Sequence, residues 1–564
     1  MEHFYVFLIC FFLSLSIVGY GHILKKILWG HVQFNFEHSG LLGLIFLTFI
    51  SYISNIFLEH NHVHNLILHL FGIFLFLFFV DLRKNLKNIK ILFLLLLILF
   101  PSIYIFKTHD DFPYYHLPYI NNLIENKLII GNGNFGIAHR THSSLFYYIS
   151  IYYLPILKFK LLNFSYLSFL LFFNFYLIKD LINKQFLRET NFLFFLKLFS
   201  LIFVNVIFYR LAEYGTDRVG QIFLFILVIF ILNEINKIGY SNDNINFSIL
   251  LLIFLITQKT YFISYVIIFL PLLFFYIKDK NKIIQIFFCR TSLFSIFILI
   301  IFLSKSYLNN GCFVYPVAFT CNENLLWAQS IKDINYLNTW YEIWSKAGAG
   351  PNFRVLNPNE YIQGLNWVAN WFDSYFKIKA VDFLLGTILI SLIIYFSYYT
   401  KNNLENFSRS VIIHKKNNIL SLYIILLFLL IVWFFKHPAL RYGGYTLLGL
   451  IIFIPISIFC SNFTKSFKSK RIITYSLICI TFFIFDLRNI QRIQKEINVY
   501  SYNILEKPFS FIKKVNYEAV DTGANKIFIP KNSDMCWTTS SPCSYKEDLI
   551  SIKKFKYFIY HEKK

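Results

Sequence analysis

Apolar runs recur along most of this chain, separated by short connections in which Lys, Arg, Asn and Asp gather. A helix rises about 1.5 Å per residue, so about 20 apolar residues cross the roughly 30 Å hydrocarbon core of a bilayer. On that criterion spans are predicted near 4–24, 40–57, 63–80, 89–106, 161–178, 192–209, 221–238, 247–258, 260–277, 284–303, 381–399, 418–435, 445–460 and 472–486, about 14 in all. The pattern predicts an all-α, polytopic membrane protein, with a transmembrane domain over 1–486 and a smaller tail over 487–564. The first run lacks a small-residue cleavage site and is followed by further spans, so it reads as an anchor.

The basic residues give these spans a direction. Lys25 and Lys26; Arg83, Lys84, Lys87 and Lys90; Lys179, Lys184 and Arg188; Lys237; Lys278, Lys280 and Lys282; Arg409, Lys415 and Lys416; and Lys465, Lys468, Lys470 and Arg471 all fall on one side if both termini lie outside. That is the positive-inside arrangement. The stretch 143–157 is then too many crossings by one, and its Tyr and Phe predict a helix lying at the outer interface. The outer face carries an acidic loop (107–142), a short loop (210–220), a large loop (304–380), a second short loop (436–444) and the tail. The expected location is a bacterial cytoplasmic membrane.

Composition agrees. Only 15% of the 564 residues are charged and 57% are hydrophobic, whereas soluble domains carry about 25% charged residues. Disordered chains are excluded by the same numbers. The net charge of +23 does not imply nucleic acid, because the cations sit in the inner loops. Membrane lipids are the implied surroundings. Of the eight cysteines, Cys10, Cys289, Cys460 and Cys479 lie in apolar spans and read as small buried hydrophobes. Cys312 with Cys321 and Cys536 with Cys543 are close pairs in outer segments, where disulfides persist, and two local bridges are expected.

Candidate chemistry gathers in the outer loops. Thr108-His109-Asp110-Asp111-Phe112-Pro113 directly follows a span. Adjacent carboxylates repel, so one holds a proton or a cation sits between them, and either state suits a general base. Helix capping is the structural alternative for these acids. His116, His139, Arg140 and His142 share the loop, together with an irregular Gly- and Asn-rich half. His and Asp together can also hold a divalent metal, although no H-x-x-x-H or H-E-x-x-H spacing occurs, and no other cofactor is implied. His60, His62, His64 and His69 form a second His cluster at an outer turn. The loop 210–218 packs Arg210, Glu213, Asp217 and Arg218 together, and the loop 436–444 carries Arg441-Tyr442. Interfacial Arg can grip a phosphate through paired hydrogen bonds. The large outer loop holds Trp327, Trp340, Trp344, Trp367 and Trp371, residues that serve as interface anchors or as stacking faces for sugar rings. In the tail, 487–499 reads as an amphipathic helix, and 526–529 and 557–560 as short strands.

With many spans and an outer Asp-Asp pair, the chain resembles the GT-C superfamily of polytopic glycosyltransferases. In that superfamily the acidic loop follows the first span; here it follows about the fourth. The resemblance implies a sugar donor carried on a polyprenyl phosphate and an acceptor that is a surface glycan or lipid. It also implies catalytic roles for Asp110 and Asp111. Arg441-Tyr442 is similar to the late Arg that meets the carrier phosphate in some members. Substrate contacts are expected from His109, His116, His139, Arg140, Glu213, Asp217, Arg218, Arg441 and Tyr442.

The expectation is therefore an inverting integral-membrane glycosyltransferase acting on the outer face. A surface-polysaccharide polymerase or ligase would use the loop 304–380 but leave the Asp pair without a role. A lipid-linked sugar transporter would place charge at mid-membrane and often shows repeats, and no repeat occurs here. A non-catalytic scaffold predicts that no single carboxylate matters.

Overall fold

The computed structural model describes residues 2–30, 35–105, 111–189, 191–210, 215–236, 242–276, 280–350, 354–400, 413–463, 465–501, 512–533 and 535–563. It is mostly helical. Among the described residues, 11 helices are long and apolar enough to cross a membrane. Three shorter apolar helices, Phe192–Ile207, Asp243–Gln258 and Thr260–Leu273, stand where the sequence predicts further spans.

Burial separates the centre of the bundle from its rim. The helical stretches Phe159–Leu181 and Asp217–Ile235 are 100% and 89% buried over their apolar windows, against 17% for Ile419–Lys436. All three are apolar all round, so periodicity cannot rank them; neighbours do. The helix Glu2–Trp29 crosses closely, through small residues, both Phe36–Phe57 and His62–Phe79. A Cβ on Gly21 would lie 1.7 Å from the Ser39 carbonyl oxygen, and one on Gly19 2.1 Å from that of Gly72. Lipid gives no hydrophobic drive between helices, so close approach through small residues supplies the contact.

Several expectations are refined. The stretch 143–157 is helical only over Ser144–Ser150, and all seven residues are buried in protein. Its Tyr residues go inside because their hydroxyls find partners there. Tyr148 bonds Ser168 at 2.7 Å, and Tyr152 donates to Tyr148 at 2.5 Å. Cys10 and Cys460 are buried, but Cys479 is exposed and Cys289 half-buried, the latter capping the helix Arg290–Asn310. Both predicted bridges, Cys312–Cys321 and Cys536–Cys543, are formed.

The last span and the amphipathic segment after it are one helix, Phe467–Tyr500. At about 51 Å it overshoots the hydrocarbon core. The tail then folds into two antiparallel hairpins. β1 (Asn516–Asp521) pairs with β2 (Lys526–Lys531), and β3 (Leu549–Lys554) with β4 (Tyr557–Glu562). β2 and β4 contain the expected strands. β1 is almost wholly exposed and lacks apolar alternation, so only pairing reveals it. The tail sits on the acidic loop: Ile130 donates to the Phe558 carbonyl at 3.0 Å and accepts from the Tyr560 amide at 3.0 Å. Ile129, Phe135, Ile527, Leu549 and Tyr560 form a small shared core.

Candidate functional site

A cavity of about 570 Å³ opens where three loops meet. Asp111, Tyr114 and Tyr115 come from the acidic loop. Arg441 and Tyr442 come from the loop after Ile413–Lys436, and Lys259 from the break between two short apolar helices. The helix Ile331–Lys346 adds an aromatic wall.

Irregular helix positions the polar groups. Asp111 immediately precedes the π-helical turn Phe112–His116 and makes no capping hydrogen bond. Arg441 lies in a second π turn, Leu440–Gly444, where the chain kinks at Gly443 with φ +90°, a conformation that favours glycine. Such turns are frequent at functional sites. Side chains satisfy the backbone freed by that kink. Gln221 donates to the Arg441 carbonyl at 2.9 Å, the Tyr375 hydroxyl accepts from the Leu440 amide at 2.7 Å, and Trp371 donates to the Pro438 carbonyl at 2.9 Å. Lys259 precedes a ten-residue 3₁₀ helix, Thr260–Phe269, much longer than is usual for that geometry.

One buried carboxylate orients two cations. Arg441 Nε donates to Asp217 Oδ2 at 2.9 Å, and Lys259 Nζ lies 2.9 Å from Oδ1. Lys259 also donates to the Thr216 hydroxyl at 3.1 Å. The guanidinium lies over Trp344 and Tyr442, 5.4 and 5.7 Å from their ring centres. The three charges sum to one positive charge on the wall of the cavity that Asp111 also lines. Burial first, and the Asp111 charge in addition, raise the hydroxyls of Tyr114, Tyr115 and Tyr341 above their ordinary value. At neutral pH these phenols are hydrogen-bond donors. A second cavity of about 200 Å³ shares Lys259, Thr141, Tyr341 and Tyr442 with the first. It extends along apolar residues such as Tyr265, Leu429 and Trp433, between the 3₁₀ helix and Ile413–Lys436.

The acidic loop is held from both sides. The Trp537 amide donates to the Pro113 carbonyl at 3.0 Å, and the Ser541 amide to Glu125 Oε2 at 2.7 Å. From below, Asn309 and Asn310 donate to the carbonyls of His139 and Arg140 at 3.0 and 2.8 Å.

The predicted site residues divide. Asp111, Arg441 and Tyr442 line the cavity, and Asp217 orients its cations. His109, Asp110 and Glu213 lie outside the described residues. His116 is buried against Tyr115 and Phe146 and does not line the cavity. His139 is buried and stacked on Tyr119, 5.8 Å between ring centres. Arg140 is buried, and its charge reaches Tyr114 and Tyr341 from outside the lining. Arg218 turns back to the Arg210 carbonyl. His60 bonds Ser150 at 2.6 Å and Ser54 at 3.0 Å. Among the described residues no group of three or more His, Cys, Asp or Glu side chains is placed to hold a metal. Sequence reasoning missed Lys259, whose signal is a lone cation between two short apolar runs on the predicted outer side. It also missed Tyr114, Tyr115 and Tyr341.

Burial holds His139 down to about 4 and His142 to about 3, the latter helped by the Lys305 charge. Unfolded His titrates near 6.5. Between those values the unfolded chain binds more protons, so the stabilisation is complete above about 6.5 and is lost on acidification. The expected result is a falling melting midpoint of the purified protein from pH 7 to pH 5. Each buried His contributes up to about 1.4 kcal/mol per pH unit below 6.5. A His139→Asn variant should show a shallower slope; an unchanged slope would show that this side chain does not set it.

A family model described as a domain of unknown function (DUF8201) matches residues 4–448. Comparison with curated proteins and with solved structures gives no match. The matched residues include every residue that lines the two cavities and stop short of the tail. By that match, which covers well over half of its length, the chain belongs to the DUF8201 family.

Proposed function

We propose that the chain is an integral-membrane glycosyltransferase of GT-C type. It has about 14 spans by the sequence reading, with both termini and the tail outside the bacterial cytoplasmic membrane. It moves a sugar from a polyprenyl-phosphate carrier to a glycan or lipid acceptor on the outer face. One observation carries this reading. Asp111 and the cation pair Lys259–Arg441 line a single cavity, and Lys259 also borders a second, more apolar cavity.

In the proposed reaction Asp111 takes the proton of an acceptor hydroxyl. That oxygen attacks the anomeric carbon, and the bond from this carbon to the phosphate oxygen breaks. The electron pair leaves with the phosphate, whose growing negative charge meets Arg441 and Lys259. Oriented cations are effective there because Asp217 fixes them before the reaction begins. The apolar second cavity suits the first isoprene units of the carrier, and the phenols around Asp111 suit sugar hydroxyls.

The test is deletion of the gene in its host, with gel and mass-spectrometric analysis of surface and lipid-linked glycans. Loss of one sugar from a surface glycan, with its carrier-linked form accumulating, is the expected outcome. Unaltered glycans would overturn the reading. Single unpolymerised repeat units would instead indicate a polymerase, and intact donor confined to the inner leaflet a transporter.

A further inference from the structure

Four aromatic residues of the helix Ile331–Lys346 line the larger cavity, and three of them, Tyr336, Trp340 and Trp344, form a row. A spacing of four residues puts them on one face, about 6 Å apart along the helix axis. Exposure falls along the row. Tyr336 is 66% exposed and Trp340 37%, while Trp344 is half-buried with the Arg441 guanidinium over it. The row thus leads from solvent to the cation end of the cavity.

Two ordinary roles do not account for it. Core aromatics are buried, and Tyr336 and Trp340 are not; Ile334 and Ile343 fix this helix to the protein instead. Interface anchors face lipid headgroups, whereas these three rings line a cavity shared with Asp111, Thr141 and the Tyr341 hydroxyl. Flat rings alternating with hydroxyl and carboxylate groups match the chemistry of a pyranose. Its C–H faces are apolar and its edges carry hydroxyls that need hydrogen bonds. The cavity of about 570 Å³ falls in the range of roughly 300–1,000 Å³ that encloses a drug-sized ligand, large enough for more than one sugar ring.

We propose that this row is a track for a carbohydrate chain. The terminal sugar enters the cavity beside Asp111, and the preceding sugars stack on Trp340 and Tyr336. The acceptor is then an oligosaccharide, not a lone sugar or a bare lipid headgroup. Its role as acceptor rests on the transferase reading; the binding of the chain does not.

The test uses the full-length protein in detergent. The probes are oligosaccharides of graded length, released by mild acid from the host's own surface polysaccharide, and the corresponding monosaccharide. Affinity, read by calorimetry, should rise with length up to about three or four sugars, the reach of three rings at about 6 Å steps. Trp340→Ala and Tyr336→Ala should each weaken binding of the longer probes roughly tenfold, as expected when an anchoring aromatic is truncated. Trp340→Phe, which keeps a flat face, should retain most of the affinity, and melting midpoints show that each variant is folded. Equal affinity at every length, or unchanged affinity in Trp340→Ala, would overturn the track. Length-dependent binding without any transfer would leave the track standing and remove the transferase. Transfer that is equally efficient to monosaccharide and oligosaccharide would do the reverse.

Discussion

Replacing Asp111 by Asn is expected to lower sugar transfer by roughly 10²–10⁴-fold while the protein still reaches the membrane. Asn keeps the size and one acceptor oxygen of the carboxylate but cannot take a proton. Asp111 lines the cavity and makes no capping hydrogen bond to the turn that follows it. The capping explanation for an acid before Phe112-Pro113 therefore does not hold at this position. The measurement is complementation of the deletion strain with wild type and Asp111→Asn at matched membrane abundance, followed by glycan analysis. Full restoration by Asp111→Asn would remove this carboxylate from the mechanism. Asp110→Asn belongs beside it as the neighbouring carboxylate, so that loss in one variant alone assigns the base.

Truncating Asp217 to Ala should destabilise the protein by about 3 kcal/mol and disorder the cation end of the proposed site. Removing one member of a buried ion pair costs roughly 3–5 kcal/mol, because the partner charge stays behind without compensation. The low end of that range applies because the Arg441 side chain is 34% exposed and water screens part of the loss. Lys259, with 14% of its side chain exposed, would keep only the Thr216 hydroxyl. Asp217→Asn retains one acceptor oxygen and should recover about half of the loss. A double variant, Asp217→Ala with Lys259→Met, should be more stable than Asp217→Ala alone, since it removes the stranded ammonium. Thermal melts of the purified protein read all three. Additive losses in the double variant would show that the two residues do not act as a unit.

The polytopic helical class is legible in the sequence because each span must bury its own backbone polar groups and present apolar side chains all round. That constraint is local, so a window of residues reveals it. The two disulfides were legible for a similar reason: each pair is close in sequence and lies outside the apolar runs. Asp111, Arg441 and Tyr442 were legible as polar groups placed where charge at a membrane is costly without a task. Asp217 was also singled out, but as a substrate contact; the structure gives it the office of orienting two cations.

Tertiary structure alone decided which of the many loop His and Arg side chains share the cavity. His139 and Arg140 resemble site residues in one dimension, yet the helix Arg290–Asn310 and the tail close over their loop and bury them. Lys259 looks like a loop cation, yet it meets Arg441, distant in sequence, on the same carboxylate. Sequence patterns report the solvent each segment must face, and that solvent is set by the residues of the segment itself. Which loops meet is set by packing among helices that are apolar all round and so carry no periodic mark of their neighbours.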